Sequence, residues 1–156
     1  MSKARNFTVE NQHMSQRDIF WTRVGELMRD DEDIVIVTAD MGTPVFDKIR
    51  TTFPHRFFNV GIAEQAFEQI RVGVSIMNLP VTIVGTGTGF SYDDAGPTHH
   101  LFEDIALMRT LPNITINSVS DNVMARKLAD ISREMSTPNY VRLERHINPN
   151  IYEPSD

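Results

Sequence analysis

Cysteine is absent from the 156 residues. That excludes a disulfide framework, a thiolate nucleophile and any cysteine-ligated metal. It fits a reducing compartment, so the expected location is the cytoplasm. Basic residues are the minority: 15 Lys and Arg stand against 21 Asp and Glu, a net charge of −6. Without a basic stripe, nucleic acid and anionic membrane surfaces are not expected as principal partners. No apolar run approaches the ~20 residues of a membrane span. The opening stretch, MSKARNFTVENQH, lacks the apolar run of a signal peptide. Internal repeats and low-complexity segments are missing too.

What is present is ordinary globular material, 40% apolar and 23% charged, in a chain long enough to bury one core. Residues 1–13 are polar and read as a flexible arm, 14–147 as one domain, and 148–156 as a tail. Ser15 caps a predicted helix to about Asp30, with Ile19, Phe20, Val24, Leu27 and Met28 on its apolar face. The β-branched run Ile34–Val37 predicts a strand buried on both faces. A short helix over 45–52 precedes a strand over Arg56–Val60. A helix over 63–77 leads to a strand over Val81–Gly85 and the loop GTGFSYDDAGPTHH. Then follow a helix over 101–110, a strand over 114–116, a helix from Asp121 to about Met135, and a strand over 140–143. This alternation predicts an α/β fold with a parallel sheet of about five strands flanked by helices. Ligands of such sheets sit beyond the carboxyl ends of the strands. Those ends carry Thr38-Ala39-Asp40, Gly61-Ile62-Ala63-Glu64, the 86–100 loop and Glu144-Arg145.

Four groups of residues could do chemistry. Glu64 begins a predicted helix. It could simply meet the helix dipole, or be a shielded carboxyl that shares a proton. His99 and His100 follow a Gly-Pro turn, where a substrate role gains weight. Adjacent histidines do not converge on one metal, and no close carboxylate set completes a site, so no metal ligand is expected. Asp40 ends a strand and could be a turn residue or a site residue. Arg17, Arg142 and Arg145 are candidates for an anion, or are solvated surface charges. The GTGTG of 85–89 lacks dinucleotide spacing.

Taken in order, FFNVGIAEQ, GPTHH with EDIALMR, LPNITI and YVRLER resemble the pyrimidine-binding domain of transketolase. The same domain type occurs in 1-deoxyxylulose-5-phosphate synthase. The resemblance spans about Arg17 to Arg145. It implies a thiamine-diphosphate-binding fold of the pyrimidine type, as in the C-terminal subunit of a split transketolase. The implied enzyme is a transferase of carbohydrate metabolism that moves a two-carbon ketol unit between sugars. The glutamate of GIAEQ, here Glu64, would hydrogen-bond the cofactor's aminopyrimidine across a subunit interface and so favour proton removal from its thiazolium. Asp40 and Met41 would lie near the cofactor ring. His99 would line the substrate channel with His100, and Arg17 and Arg145 would grip a sugar or sugar phosphate. The diphosphate and Mg²⁺ would be held by a separate diphosphate-binding subunit in a heteromer, and the chain is expected to form a homodimer or a heterotetramer. In that family a third domain follows the point where this chain stops.

Three departures modify this picture. Gly87 stands where many transketolases carry a phosphate-binding histidine, and Ala95 where an aspartate reads a donor hydroxyl. Third, GIAEQA runs directly into FEQIR, although a helix–strand–loop unit of roughly 30 residues separates these motifs in the family. That unit carries the aromatics that stack on the pyrimidine, and Phe67 or Phe90 would have to substitute. A sheet that loses a strand must close up or expose apolar surface. The alternatives to ketol transfer are a catalytically impaired or scaffold subunit, and a 1-deoxyxylulose-5-phosphate synthase-like condensation.

Overall fold

A computed structural model describes residues 13–63 and 66–154. The expected arm, apart from His13, lies outside the described residues. Helix α1, Gln16–Leu27, starts at Ser15, whose side chain accepts from the Asp18 amide. Its buried face is Ile19, Phe20, Trp21 and Leu27. Arg56 caps its far end, donating to the carbonyls of Met28 and Asp31 at 2.6 and 2.7 Å. Strand β1, Ile36–Thr38, is followed by α2, Pro44–Thr52, and β2, Phe57–Asn59. After α3, Ala66–Gln69, and a π-helical segment, Ile70–Ile76, come β3, Thr82–Thr86, and α4, Asp104–Met108. Strand β4, Thr115–Ser118, α5, Asn122–Glu134, and β5, Asn139–Leu143, complete the order.

All strand pairs are parallel, as the alternation predicts. Among the described residues five strands form two sheets, β1–β2 and β3–β5–β4. Strand β5 is the spine of the larger one and is almost wholly buried. The two sheets share a core: Ile36 of β1 packs with Val141 and Leu143 of β5, with Phe20 and Trp21 of α1, and with Leu128 of α5. A second apolar cluster, Met108, Leu111 and Tyr140, takes in Phe67, Ile70, Ile83 and Ile116.

Two expectations are corrected. The Ile34–Val37 run is not buried on both faces. Ile36 is buried, but Val35 and Val37 are 52% and 63% exposed. The β2 partner of Val37 is Phe58, itself exposed. One face of β1–β2 is thus an open apolar surface, because no described element packs over it. The helix expected over 63–77 is present among the described residues from Ala66 to Ile76, but it is not α-helical throughout. Four α-helical residues give way to seven π-helical ones. Such segments mark strain or insertion in a helix, and this one directly follows the junction of GIAEQA with FEQIR. Exposed Val72, Ile76 and Met77 lie on or beside it. Both features fit a sheet whose two halves have lost the unit that joined them.

Asp121 anchors the C-terminal end of the domain. One carboxylate oxygen caps α5 through the Met124 amide, and the other accepts from the amides of Ile151 and Tyr152, each at 2.7 Å. Burial pushes this carboxyl up, but the backbone donors outweigh it and hold it below the usual carboxylate range.

Close approach, rather than a ligand, explains Gly85 in β3. A Cβ there would lie 2.2 Å from the Tyr140 hydroxyl and 2.9 Å from its ring carbon Cζ. That hydroxyl donates to Asp104 at 2.8 Å, and Arg142 donates to the same carboxylate oxygen at 2.7 Å. Burial first, and then Asp104, raise the Tyr140 phenol well above its ordinary value. Gly85→Ala is therefore expected to destabilise the fold by about 1–3 kcal/mol. Tyr140→Phe, which removes the nearest clashing atom, should make the alanine less costly. Urea denaturation of the two single variants and the double variant measures this, and additive losses would contradict the close-approach account.

Candidate functional site

The carboxyl ends of the strands gather two neighbouring lobes. In the first, Asp40 follows β1 with a positive φ of 56°, a conformation that aspartate tolerates better than most residues. Its amide donates to the Asn59 side chain, and the Asn59 amide group donates back to the Asp40 carboxylate, both at 3.1 Å. Asn59 also accepts from the Gly61 amide at 3.0 Å. This reciprocal clasp ties the ends of β1 and β2 together and fixes the entry to Gly61, whose φ is +75°. Asn59 was not singled out in the sequence. Its position two residues before the GIAEQ glycine was the available signal. Met41 is half-buried against the main core, and Thr86 donates to its sulfur at 3.4 Å. A cleft of about 340 Å³ opens here, lined by Thr38, Asp40, Met41, Asn59, Phe46 and Phe57 among others. Glu64 lies outside the described residues.

The second lobe is held by Glu144, just past β5. Its amide donates to the Gln16 side chain at 2.9 Å, and its carbonyl accepts from the Arg17 amide at 3.3 Å. Its carboxylate takes the hydroxyls of Thr88 and Ser91 and the Arg145 amide. Burial works against the charged form, yet these donors hold the Glu144 carboxyl below its usual range. The loop from 87 to 100 is thereby pinned to the N-terminal turn of α1. On that loop sits Tyr92. Its ring lies 4.5 Å from the Arg145 guanidinium, and its hydroxyl accepts from Arg17 at 3.5 Å. The His99 ring centre is 6.3 Å away. Arg17 is steadied by Asp18 at 3.0 Å, whose carboxylate also accepts from Thr43 at 2.7 Å. Thr43 caps α2 and borders the first lobe, so Asp18 joins the two lobes.

Arg17, Arg145 and His99, far apart in sequence, therefore meet around Tyr92, which sequence reasoning passed over. His100 does not join them. Its ring packs edge-on against Phe90 at 4.8 Å and near Phe102 at 5.9 Å. Arg142 is engaged by Asp104 and by the Leu101 carbonyl, which removes it from the anion candidates. Phe67, expected against a cofactor, packs into the second apolar cluster rather than toward Met41. Phe90 is exposed but belongs with His100 and Phe102. The GTGTG stretch is structural: Gly85 makes room for Tyr140 and Gly87 for Tyr92. Among the described residues no cluster of His, Asp and Glu suits a metal ion.

These features define a parallel α/β domain with arginines and a histidine gathered at the carboxyl edge of its sheet. The family described as "Transketolase, pyrimidine binding domain" matches residues 66–149, and the chain belongs to it. It is 30% identical over 175 aligned positions to one subunit of the apulose-4-phosphate transketolase of Phocaeicola vulgatus, covering 94% of this chain and 56% of that protein. It is also 30% identical to the 1-deoxy-D-xylulose-5-phosphate synthase of Carboxydothermus hydrogenoformans, over 88% of this chain and 26% of that protein. Among solved structures, one titled "Split gene transketolase, inactive beta4 tetramer" superposes with a TM-score of 0.78 at 28% identity, over 92% of this chain and 55% of that one. The chain thus spans about half the length of the split-transketolase relatives it matches. The 175 aligned positions exceed its 156 residues by 19, so the Phocaeicola protein carries at least this many positions without a counterpart here. The family match opens at Ala66, the residue at which the two motifs run together.

A pyrimidine ring needs polar groups at its edge and an apolar face to lie on. Asp40, Asn59 and Met41 supply edge and contact groups. Phe46 and Phe57, which line the same cleft, pack edge-on to each other at 5.1 Å. The described residues of this cleft thus offer polar groups suited to the edge of a pyrimidine ring.

The Glu144 clamp has a pH signature. Its carboxyl is depressed in the folded state, so its stabilisation is complete above the unfolded value of about 4.3. It is lost as pH falls through the lower folded value. Glu144→Gln should lower the urea midpoint at pH 7 and flatten its decline between about pH 5 and 3. An unchanged acid limb would show that Glu144 does not hold the loop.

Proposed function

We propose that this chain is the pyrimidine-domain subunit of a thiamine-diphosphate-dependent, transketolase-like transferase that acts on sugars with an anionic end. The observation that carries this reading is the convergence of Arg17, Arg145 and His99 on Tyr92, beside the Asp40–Met41 lobe. Two guanidinium groups at one sheet edge suit a phosphate. When bound, thiamine diphosphate supplies a carbon nucleophile and then an electron sink. The chain's own part is to orient and protonate. Asp40 and Met41 would border the ring, Glu64 would share a proton with it, and His99 would face the sugar. A second subunit holds the diphosphate and Mg²⁺. The open apolar face of Val35, Val37 and Phe58 suits burial against another chain. Association also accords with relatives described as a transketolase subunit and as a tetramer.

A second reading is a scaffold or regulatory subunit. It is favoured by the divided sheet and by the direct junction of GIAEQA with FEQIR. A condensation like that of 1-deoxy-D-xylulose-5-phosphate synthase is a third reading, and a requirement for pyruvate would reveal it.

The deciding experiment combines the chain with a diphosphate-binding transketolase subunit and measures both cofactor binding and ketol transfer. The catalytic reading expects transfer that Glu64→Ala lowers by about 100-fold or more, with the complex still assembled by size. Full transfer in Glu64→Ala removes the proposed role of Glu64. Assembly without cofactor binding establishes the scaffold reading.

A further inference from the structure

The two sheets are not covered alike. Strands β3 and β5 have apolar layers on both sides. Val84, Val141 and Leu143 face the cluster that holds Phe20 of α1 and Leu128 of α5. Ile83 and Tyr140 face the other way, into the cluster that holds Phe67, Ile70, Met108 and Leu111. Strands β1 and β2 have only the first layer, which they join through Ile36 and Phe57. Side chains alternate along a strand, so Val35, Val37, Phe58 and Val60 stand on the uncovered side, each about half exposed or more. None of the four carries a charge. Val37 lies opposite Phe58 in the register, so they form one patch and not scattered residues. The second layer itself ends in apolar residues. On the π-helical segment Ile70 packs into the second cluster, whereas Val72 and Ile76, with Met77 just beyond, are exposed. The charged residues just before this ledge, Glu68 and Arg71, pair with each other at 3.5 Å.

We infer that a second copy of this chain covers the open side of β1–β2 about a two-fold axis, the ledge of Val72, Ile76 and Met77 of each copy lying on Val35, Val37, Phe58 and Val60 of the other. Each copy lacks an apolar layer over one sheet and presents the outer edge of such a layer over the other. A two-fold contact is self-complementary, so one pairing satisfies both surfaces on both copies. Charge points the same way. A net charge of −6 opposes self-association through charged surfaces, whereas these two surfaces carry none. The area suffices as well: seven large apolar side chains from each copy bury on the order of 1,000 Å² in the pair, the lower bound of a specific interface. None of the seven belongs to the candidate site at the carboxyl edge. Pairing of this kind is therefore independent of ketol transfer and of whether that site takes a sugar.

Two measurements on the full chain alone, without cofactor or any other subunit, test this. Analytical ultracentrifugation over a wide concentration range should give twice the chain mass, dissociating on dilution. Val37→Glu should raise the dissociation constant by about 30-fold or more. Val60→Glu, outside the strand, should do the same and stands in if Val37→Glu fails to fold. Ile131→Glu, at an exposed apolar position of α5, should leave it unchanged. A monomer at every concentration would overturn the inference, and so would a dimer indifferent to both Val37→Glu and Val60→Glu. A monomer that associates only when a diphosphate-binding subunit is added would give the face to that chain and overturn it equally. The second measurement uses the absence of native cysteine. On oxidation, a mixture of Val37→Cys and Ile76→Cys chains should yield a disulfide-linked pair that neither variant yields alone. Linkage of Val37→Cys to itself, or no linkage in the mixture, would refute the laying of ledge on face.

Discussion

The site depends on one junction, where the end of β5 meets the first turn of α1. Glu144 makes that junction with its backbone and its carboxylate at once. The amide and carbonyl bind Gln16 and Arg17, while the carboxylate gathers Thr88 and Ser91. A half-buried carboxylate keeps its charge here because so many donors converge on it. The same convergence fixes the loop of 87–100 relative to both arginines. Without it Tyr92 would be an exposed loop residue with no defined partner.

Two tyrosines organise the glycine-rich stretch around this junction. Tyr140, from the central strand, passes over Gly85 to reach Asp104, and that pairing consumes Arg142. Tyr92 lies on Gly87 and leaves Arg145 facing outward. One arginine of YVRLER is thus structural and the next is available to a ligand. They are three residues apart and on opposite sides of the chain's needs. The difference follows from which carboxylate each can reach: Arg142 faces Asp104, whereas Arg145 meets the Tyr92 ring and the Ser91 carbonyl.

The junction after Ala66 has a different physical consequence. Strands β1–β2 and β3–β5–β4 share a core yet form separate sheets. A parallel sheet covered on both faces reads as continuous apolar runs, and Ile34–Val37 has that pattern. Here its alternate residues face outward, as do Phe58 and Val60. The run is written for a covered sheet, and no described part of this chain covers it. The seven-residue π-helical segment beside the junction is the local counterpart of the same mismatch.

Much was legible from residue order. Ser15, Asp121 and the periodic faces of their helices located α1 and α5, because capping and amphipathicity are local properties. The parallel α/β class followed from alternation, and the carboxyl-edge position of Asp40, His99 and Arg145 followed from that class. The motif set pointed to the transketolase family, and the family match agrees. Tertiary structure alone decided the rest. It separated His99 from His100, gave Arg142 to Asp104, drew Phe67 into the core, and brought Tyr92 and Asn59 into the site. Each of those outcomes depends on contacts between residues tens of positions apart, such as Arg17 with Tyr92, or Asp104 with Arg142. Local sequence encodes which residues can form a helix, strand or turn. Which of two neighbouring side chains finds a partner is set only when distant elements pack.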